Sequence, residues 1–154
     1  MDFTFGPIDL VTEDDTRTFA ARLAPLLKAG DCLLLNGPIG AGKSAFARAI
    51  IRARLGEPWA DVPSPTYTLV QTYDFDDVQI WHADLYRLSH QDEVAELGLE
   101  DAFDEAICLI EWPEKLGDLA PPTALHITLA ALSASHRLTM TGPAAWRPRL
   151  AALS

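Results

Sequence analysis

Gly37, Gly42, Lys43 and Ser44 fit the spacing G-x-x-x-x-G-K-[ST], and what that spacing offers is a cradle for phosphate. Successive backbone N–H groups converge on one anion at the positive end of a helix. Gly37, Gly40 and Gly42 can take backbone angles that a Cβ resists, so the main chain can close on phosphate oxygens. Lys43 is then placed to reach the β- and γ-phosphates, and the Ser44 hydroxyl to ligate Mg²⁺. Magnesium on a nucleotide takes, beside such a hydroxyl, phosphate oxygens, waters and one or two carboxylates. Two acids qualify by pattern: Glu111 ends the apolar run Ala106 to Ile110, and Asp84 follows Ile80-Trp81-His82-Ala83. For each of them a plain N-cap or a solvated loop carboxylate is the competing explanation.

A phosphate loop needs a strand before it and a helix behind it. The stretch from Asp31 to Leu55 reads DCLLLNGPIGAGKSAFARAIIRARL, in which four apolar residues run into Asn36-Gly37 and Phe46, Ile50 and Ile51 recur at helical spacing. Ala106 to Ile110 is continuous enough to be a fully buried strand. It delivers Glu111 at a carboxyl end, where ligands gather in open α/β sheets and where the phosphate loop also starts. Upstream, Phe3 to Leu10 predicts a short edge strand ended by turn chemistry around Gly6-Pro7. Thr12 offers an N-cap, Glu13, Asp14 and Asp15 suit a first helical turn, and Phe19, Leu23, Leu26 and Leu27 mark an apolar face that Gly30 ends. Gly56-Glu57-Pro58 breaks the second helix, and Ala60 to Pro65 reads as an exposed loop.

Tyr67 to Tyr73 and Val78 to Trp81 read as strands about a solvated acidic turn, Asp74 to Asp77. Asp92 to Phe103 is helical with a break at Gly98. Ala124 to Leu129 and Arg137 to Thr141 predict a late strand pair, and Trp146 to Leu150 a last helical turn. His82 lies on the strand face opposite Trp81 and reads as a structural histidine. Arg87 and Arg137 read as surface or ion-pair residues. Trp112 suits either the core or an interaction surface.

The 154 residues suit one domain with one core, and 49% apolar with 22% charged residues belongs to a globular chain. With 22 acidic and 12 basic side chains the net charge is −10, which disfavours a direct, strong grip on RNA or DNA. A nucleotide is different, because local N–H dipoles and a metal can hold its phosphates. Cys32 and Cys108 fall inside predicted strands without metal-type spacing, and so read as reduced core packing. No basic-then-apolar leader or long apolar run stands out, so the expectation is a cytoplasmic chain with no membrane contact. Among nucleotide proteins, a small-molecule kinase would need an Arg-rich lid and an acceptor domain, and a GTPase would carry N-K-x-D; neither pattern occurs. A nucleotide-sensing adaptor with negligible hydrolysis is the alternative from another class.

NGPIGAGKS, SPTYTLV at 64–70, HADLYRL at 82–88, ELGLED at 96–101 and IEWPE at 110–114 follow one another at intervals that closely resemble the TsaE (YjeE-type) family, the bacterial ATPase of tRNA threonylcarbamoyladenosine biosynthesis. The resemblance covers about Glu13 to Arg137. It implies an α/β fold, a single P-loop NTPase domain over 1–154 with its motifs within about 13–141. A central, mostly parallel sheet would carry helices on both faces and a late antiparallel pair. It implies ATP or ADP with Mg²⁺ at the loop: Gly40, Ala41, Gly42, Lys43, Ser44 and Ala45 on the phosphates, and Ser44, Asp84 and Glu111 around the metal. Thr66 would be a switch-type residue near the γ-phosphate, and Glu13 would lie near the base. Lys43, Glu111 and Thr66 would carry catalysis. The implied partners are TsaD and TsaB, with ATP hydrolysis, weak alone and partner-stimulated, resetting their complex between rounds of tRNA modification and the tRNA met through them. Ser44 stands where threonine is frequent and keeps the hydroxyl. Pro38-Ile39 replaces a more usual acidic-apolar pair, a change that bears on partner affinity.

Overall fold

The apolar runs assemble into one seven-stranded sheet in a computed structural model, which describes residues 2–153. In chain order the elements are β1 (Phe3–Leu10), α1 (Glu13–Leu23), β2 (Cys32–Asn36), α2 (Lys43–Leu55), β3 (Val70–Asp74), β4 (Gln79–Asp84), α3 (Asp92–Glu96), α4 (Leu99–Glu105), β5 (Ile107–Glu111), β6 (Leu125–Ala131), β7 (His136–Gly142) and α5 (Trp146–Arg149). Short 3₁₀ segments follow α1, β5 and α5. The strands lie side by side in the order β1-β7-β6-β2-β5-β4-β3. The central four, β6, β2, β5 and β4, run parallel, while β1-β7, β7-β6 and β4-β3 pair antiparallel. No helix among the described residues is long and apolar enough to cross a membrane.

The continuous apolar runs of β2 and β5 follow from burial on both faces. Leu33, Leu35, Ile107 and Leu109 point to one core, shared with Phe19 and Leu23 of α1 and Phe46, Ile50 and Ile51 of α2. Cys32, Leu34, Cys108 and Ile110 point to the other, closed by Val94 of α3 and by Leu99 and Phe103 of α4. Cys32 and Cys108 are register partners and remain free thiols. Burial pushes the Cys108 thiol up to about 12 and raises that of Cys32 as well, so both act as small apolar side chains. Thr12 caps α1, as its sequence predicts, and the structure completes a capping box with Asp15.

Several boundaries differ from the sequence reading. Gly6-Pro7 does not end β1; the strand runs through it with a register shift between Phe5 and Ile8, which an edge strand tolerates because one side of it has no ladder to satisfy. Gly30 does not end α1, which stops at Leu23 and tightens into a 3₁₀ turn containing Pro25; Gly30 instead turns the chain into β2 with φ of 90°. Tyr67 to Leu69 form a turn and not the start of β3, closed by the Leu69 N–H donating to the Pro65 carbonyl at 2.7 Å. The preceding loop is less exposed than its prolines suggest, since Val62 and Pro65 are buried. The acidic turn after β3 is solvated as expected, with Asp77 paired to Arg54.

One ion pair ties the C-terminal helix to the segment that enters β2. Arg149 meets both oxygens of Asp31, at 2.9 and 2.5 Å, and Asp31 also accepts the Lys28 N–H at 2.8 Å. Asp31 is 6% exposed, so removing its partner strands a carboxylate. Arg149→Met is expected to cost about 3 kcal/mol of unfolding free energy in urea, and Asp31→Asn in the same chain to restore part of it. A loss below about 0.5 kcal/mol would mean the pair behaves like an exposed one.

Candidate active site

β2 ends at Asn36, and the chain turns through residues 37–42 into α2, whose first residue is Lys43. Two glycines make the turn possible. Gly37 has φ of 149° and lies so close to β6 that a Cβ would sit 2.5 Å from the Leu129 carbonyl oxygen. Gly42, at φ of 98°, starts the helix with the ring of His136 against it. At Gly40, also left-handed, a Cβ would meet nothing within 4 Å, so the crest of the loop is open to a ligand. The first turn of α2 directs N–H groups without helical partners at the same space. Lys43, only 5% exposed, donates to the Gly37 carbonyl and lies 3.3 Å from the centroid of the Trp112 ring. Burial lowers the pKa of its ammonium, while the charges of Glu111, Glu114 and Asp84 pull it back up.

The two acids arrive by strand register. Leu35 of β2 pairs with Glu111 of β5, and Glu111 in turn with Asp84 of β4, so both carboxylates stand at the carboxyl ends of strands beside the loop. Ser44 Oγ donates to Glu111 Oε1 at 2.7 Å, and His82 Nε2 lies 2.6 Å from Glu111 Oε2. Asp84 Oδ1 accepts the Tyr86 N–H at 3.0 Å, and its Oδ2 is 3.5 Å from the Thr66 hydroxyl, which also meets Ser64 Oγ at 2.8 Å. Glu111 and Asp84 are buried, at 2% and 6% exposure. Thus the structure gathers Lys43, Ser44, Thr66, Asp84 and Glu111 at one point. Their oxygens, two carboxylates and hydroxyls, are the donor set a hard divalent cation takes. Among the described residues no group of three His, Cys, Asp or Glu side chains is arranged to hold a metal alone, so phosphates and water would have to complete the shell.

Beside the loop opens a cleft of ≈ 460 Å³ lined by Gly42 of the loop and Ala45 of the first turn of α2, by Leu10, Thr12 and Glu13 from the β1-α1 corner, and by Leu132 and His136 from the β6-β7 hairpin. Glu13 stands at its rim with its side chain 96% exposed and paired to Arg17 at 3.8 Å. Ala41, within the loop, is fully buried, and Ala45 is exposed.

Three participants escaped the sequence reading. His82 was a structural histidine by pattern, yet it contacts the central acid; its two-residue spacing from Asp84 at a strand end was the available signal. Arg87 does not face the phosphate space: it binds the carbonyls of Thr66 and Tyr67, at 3.0 and 2.6 Å, and fastens their loop beside Asp84. Trp112, left-handed at φ of 59°, covers Lys43 and packs on Tyr86 with ring centroids 5.0 Å apart, a placement no periodicity could signal. Arg137 pairs with Asp9 on the surface, as expected.

A glycine-rich turn between a parallel strand and a helix, with acids from the next two strand ends beside it, defines the fold as that of a P-loop NTPase. The family model described as "Threonylcarbamoyl adenosine biosynthesis protein TsaE" matches residues 10–139, and the chain belongs to the TsaE family. It is 43% identical to a tRNA threonylcarbamoyladenosine biosynthesis protein TsaE of Rickettsia conorii over 129 residues, 84% of this chain and 73% of that protein. The protein of the same name from Bacillus subtilis is 33% identical over 120 residues, covering 77% of this chain and 73% of its own. The crystal structure of YdiB from Bacillus subtilis superposes with a TM-score of 0.80 over 99% of this chain and 95% of that one; at 24% identity it shares the fold.

Gly40 and Gly37 separate ligand access from architecture. Gly40→Ala is expected to cost only the left-handed strain, about 1–2 kcal/mol, and to keep the fold. Gly37→Ala adds overpacking against the β6 backbone and is expected to cost about 3 kcal/mol or more. Equal denaturation midpoints for the two would contradict this division.

Proposed function

We propose that this chain is a Mg²⁺-dependent ATPase that supports formation of N6-threonylcarbamoyladenosine in tRNA by driving turnover of a TsaD–TsaB complex. The observation that carries the reading is the meeting of Ser44 and Glu111 at 2.7 Å beside Lys43, with a cleft large enough for a nucleoside lined by the adjacent Gly42 and Ala45. In this reading the N–H groups of residues 40–45 bind the phosphates, and Lys43 supplies the charge that the β- and γ-phosphates need. Ser44, Glu111 and Asp84 would hold the metal, which when bound neutralises charge on the phosphate oxygens. The Thr66 hydroxyl, fixed by Ser64 and Asp84, would face the terminal phosphate. The base would lie in the cleft between Leu10, Leu132 and His136, with Glu13 at the rim.

The role in tRNA modification follows the names of the relatives, and the partners follow the family resemblance. A net charge of −10 suits a subunit that leaves the RNA to its partners. The loop from Ser64 to Leu69 would pass the phosphate state outward, since Tyr67 is 84% exposed one residue beyond Thr66.

With purified TsaB and TsaD present, phosphate release from ATP without any added acceptor is expected, which a kinase would not give. Lys43→Ala and Glu111→Ala are each expected to lower kcat about 100-fold or more with circular dichroism unchanged. Full activity in both would mean the site is elsewhere, and tight binding with background hydrolysis would favour the adaptor. Thr66→Ala is expected to slow repeated modification cycles in the same mixture; an unchanged rate over many turnovers would separate this loop from the coupling.

A further inference from the structure

We propose that His82 is a positioning residue for Glu111, its Nε2–H holding one carboxylate oxygen so that the other faces Ser44 and the phosphate loop. The inference rests on the ATPase reading of that site. Strand alternation puts His82 on the same face of β4 as Asp84, against the core that α2 closes. Its side chain is fully buried, and Nε2 stands 2.6 Å from Glu111 Oε2 while Ser44 holds Oε1. The other ring nitrogen, Nδ1, is buried and has no hydrogen-bond partner among the described residues.

That asymmetry fixes the ring. A proton on Nδ1 would leave a buried N–H with no acceptor and set two lone-pair atoms, Nε2 and Oε2, against each other. A proton on Nε2 gives donor to acceptor and leaves unmet only an acceptor nitrogen, the cheaper of the two faults. Packing alone gives no reason for an imidazole here, since a leucine would fill much of the space without the unpartnered ring nitrogen. The ring's one directed contact is with Glu111. Donors of this kind behind a metal-binding carboxylate set which oxygen turns toward the ion, and their loss weakens metal use.

The test compares the wild-type chain with His82→Leu, which removes the donor, and His82→Gln, which keeps an N–H at similar reach. Three quantities are read: the Mg²⁺ concentration for half-maximal ATP hydrolysis with TsaB and TsaD, ADP binding by calorimetry in EDTA, and the melting temperature. His82→Leu is expected to raise the Mg²⁺ requirement about tenfold or more while metal-free ADP binding stays within about twofold, and His82→Gln to recover most of the loss. In the wild-type chain, long-range ¹⁵N correlation spectra of the histidines are expected to show His82 protonated at Nε2. An unchanged Mg²⁺ requirement in His82→Leu, equal loss in His82→Gln, or a proton found on Nδ1 would overturn the assignment. A wild-type chain that binds ADP in EDTA but gains nothing from Mg²⁺ would sink the metal reading of the whole site, and the positioning role with it.

Discussion

A carboxylate buried to 2% exposure cannot be left with an unanswered oxygen, and Glu111 answers this demand with one hydrogen-bond partner on each side. Desolvating such a group costs several kcal/mol, and hydrogen bonds to a charged acceptor return about 1.5–3 kcal/mol each. Its two partners, Ser44 and His82, come from α2 and β4, so satisfying one side chain locks the first turn of the helix, the end of β5 and the neighbouring strand into one arrangement. The phosphate loop runs from the end of β2, which pairs with β5, into that helix turn, so both of its ends are held by this arrangement.

Register makes that arrangement possible. Leu35 pairs with Glu111 and Glu111 with Asp84 across three adjacent parallel strands. A slip of one residue in β5 would turn Glu111 to the opposite face, toward the α3-α4 core, and send Ile110 to the loop. The apolar alternation of Ile107 and Leu109 against Cys108 and Ile110 guards against such a slip, because each set fills a different core. The chemistry at the strand ends is therefore specified by packing several residues away from it.

What the sequence made legible follows the same logic. The loop, the buried strands and the acids at their ends were readable because each is a local pattern with a local cause: glycine angles, continuous burial, a polar residue closing an apolar run. The left-handed cap at Gly98 between α3 and α4 was readable for the same reason. Contacts set by the meeting of distant segments were not. His82 became a partner of Glu111 only through β4-β5 pairing, Trp112 covered Lys43 only because the chain turns left-handed after β5, and Arg87 found the carbonyls of a loop twenty residues upstream. The edge strand was misjudged at Gly6-Pro7 because turn residues stop an interior strand and not one with a free edge.

Lys43 and Trp112 together give the site its most direct readout. The ammonium rests between the Gly37 carbonyl and the indole face, with three acids acting on it, so an anion entering the loop would compete with these contacts for it. A crystal structure with a non-hydrolysable ATP analogue and Mg²⁺ tests the central claim. The account predicts the triphosphate along residues 40–45, Lys43 Nζ moved from Gly37 onto phosphate oxygens, and the metal beside Ser44 and Glu111. A nucleotide bound elsewhere, with Lys43 still on the Gly37 carbonyl, would contradict it.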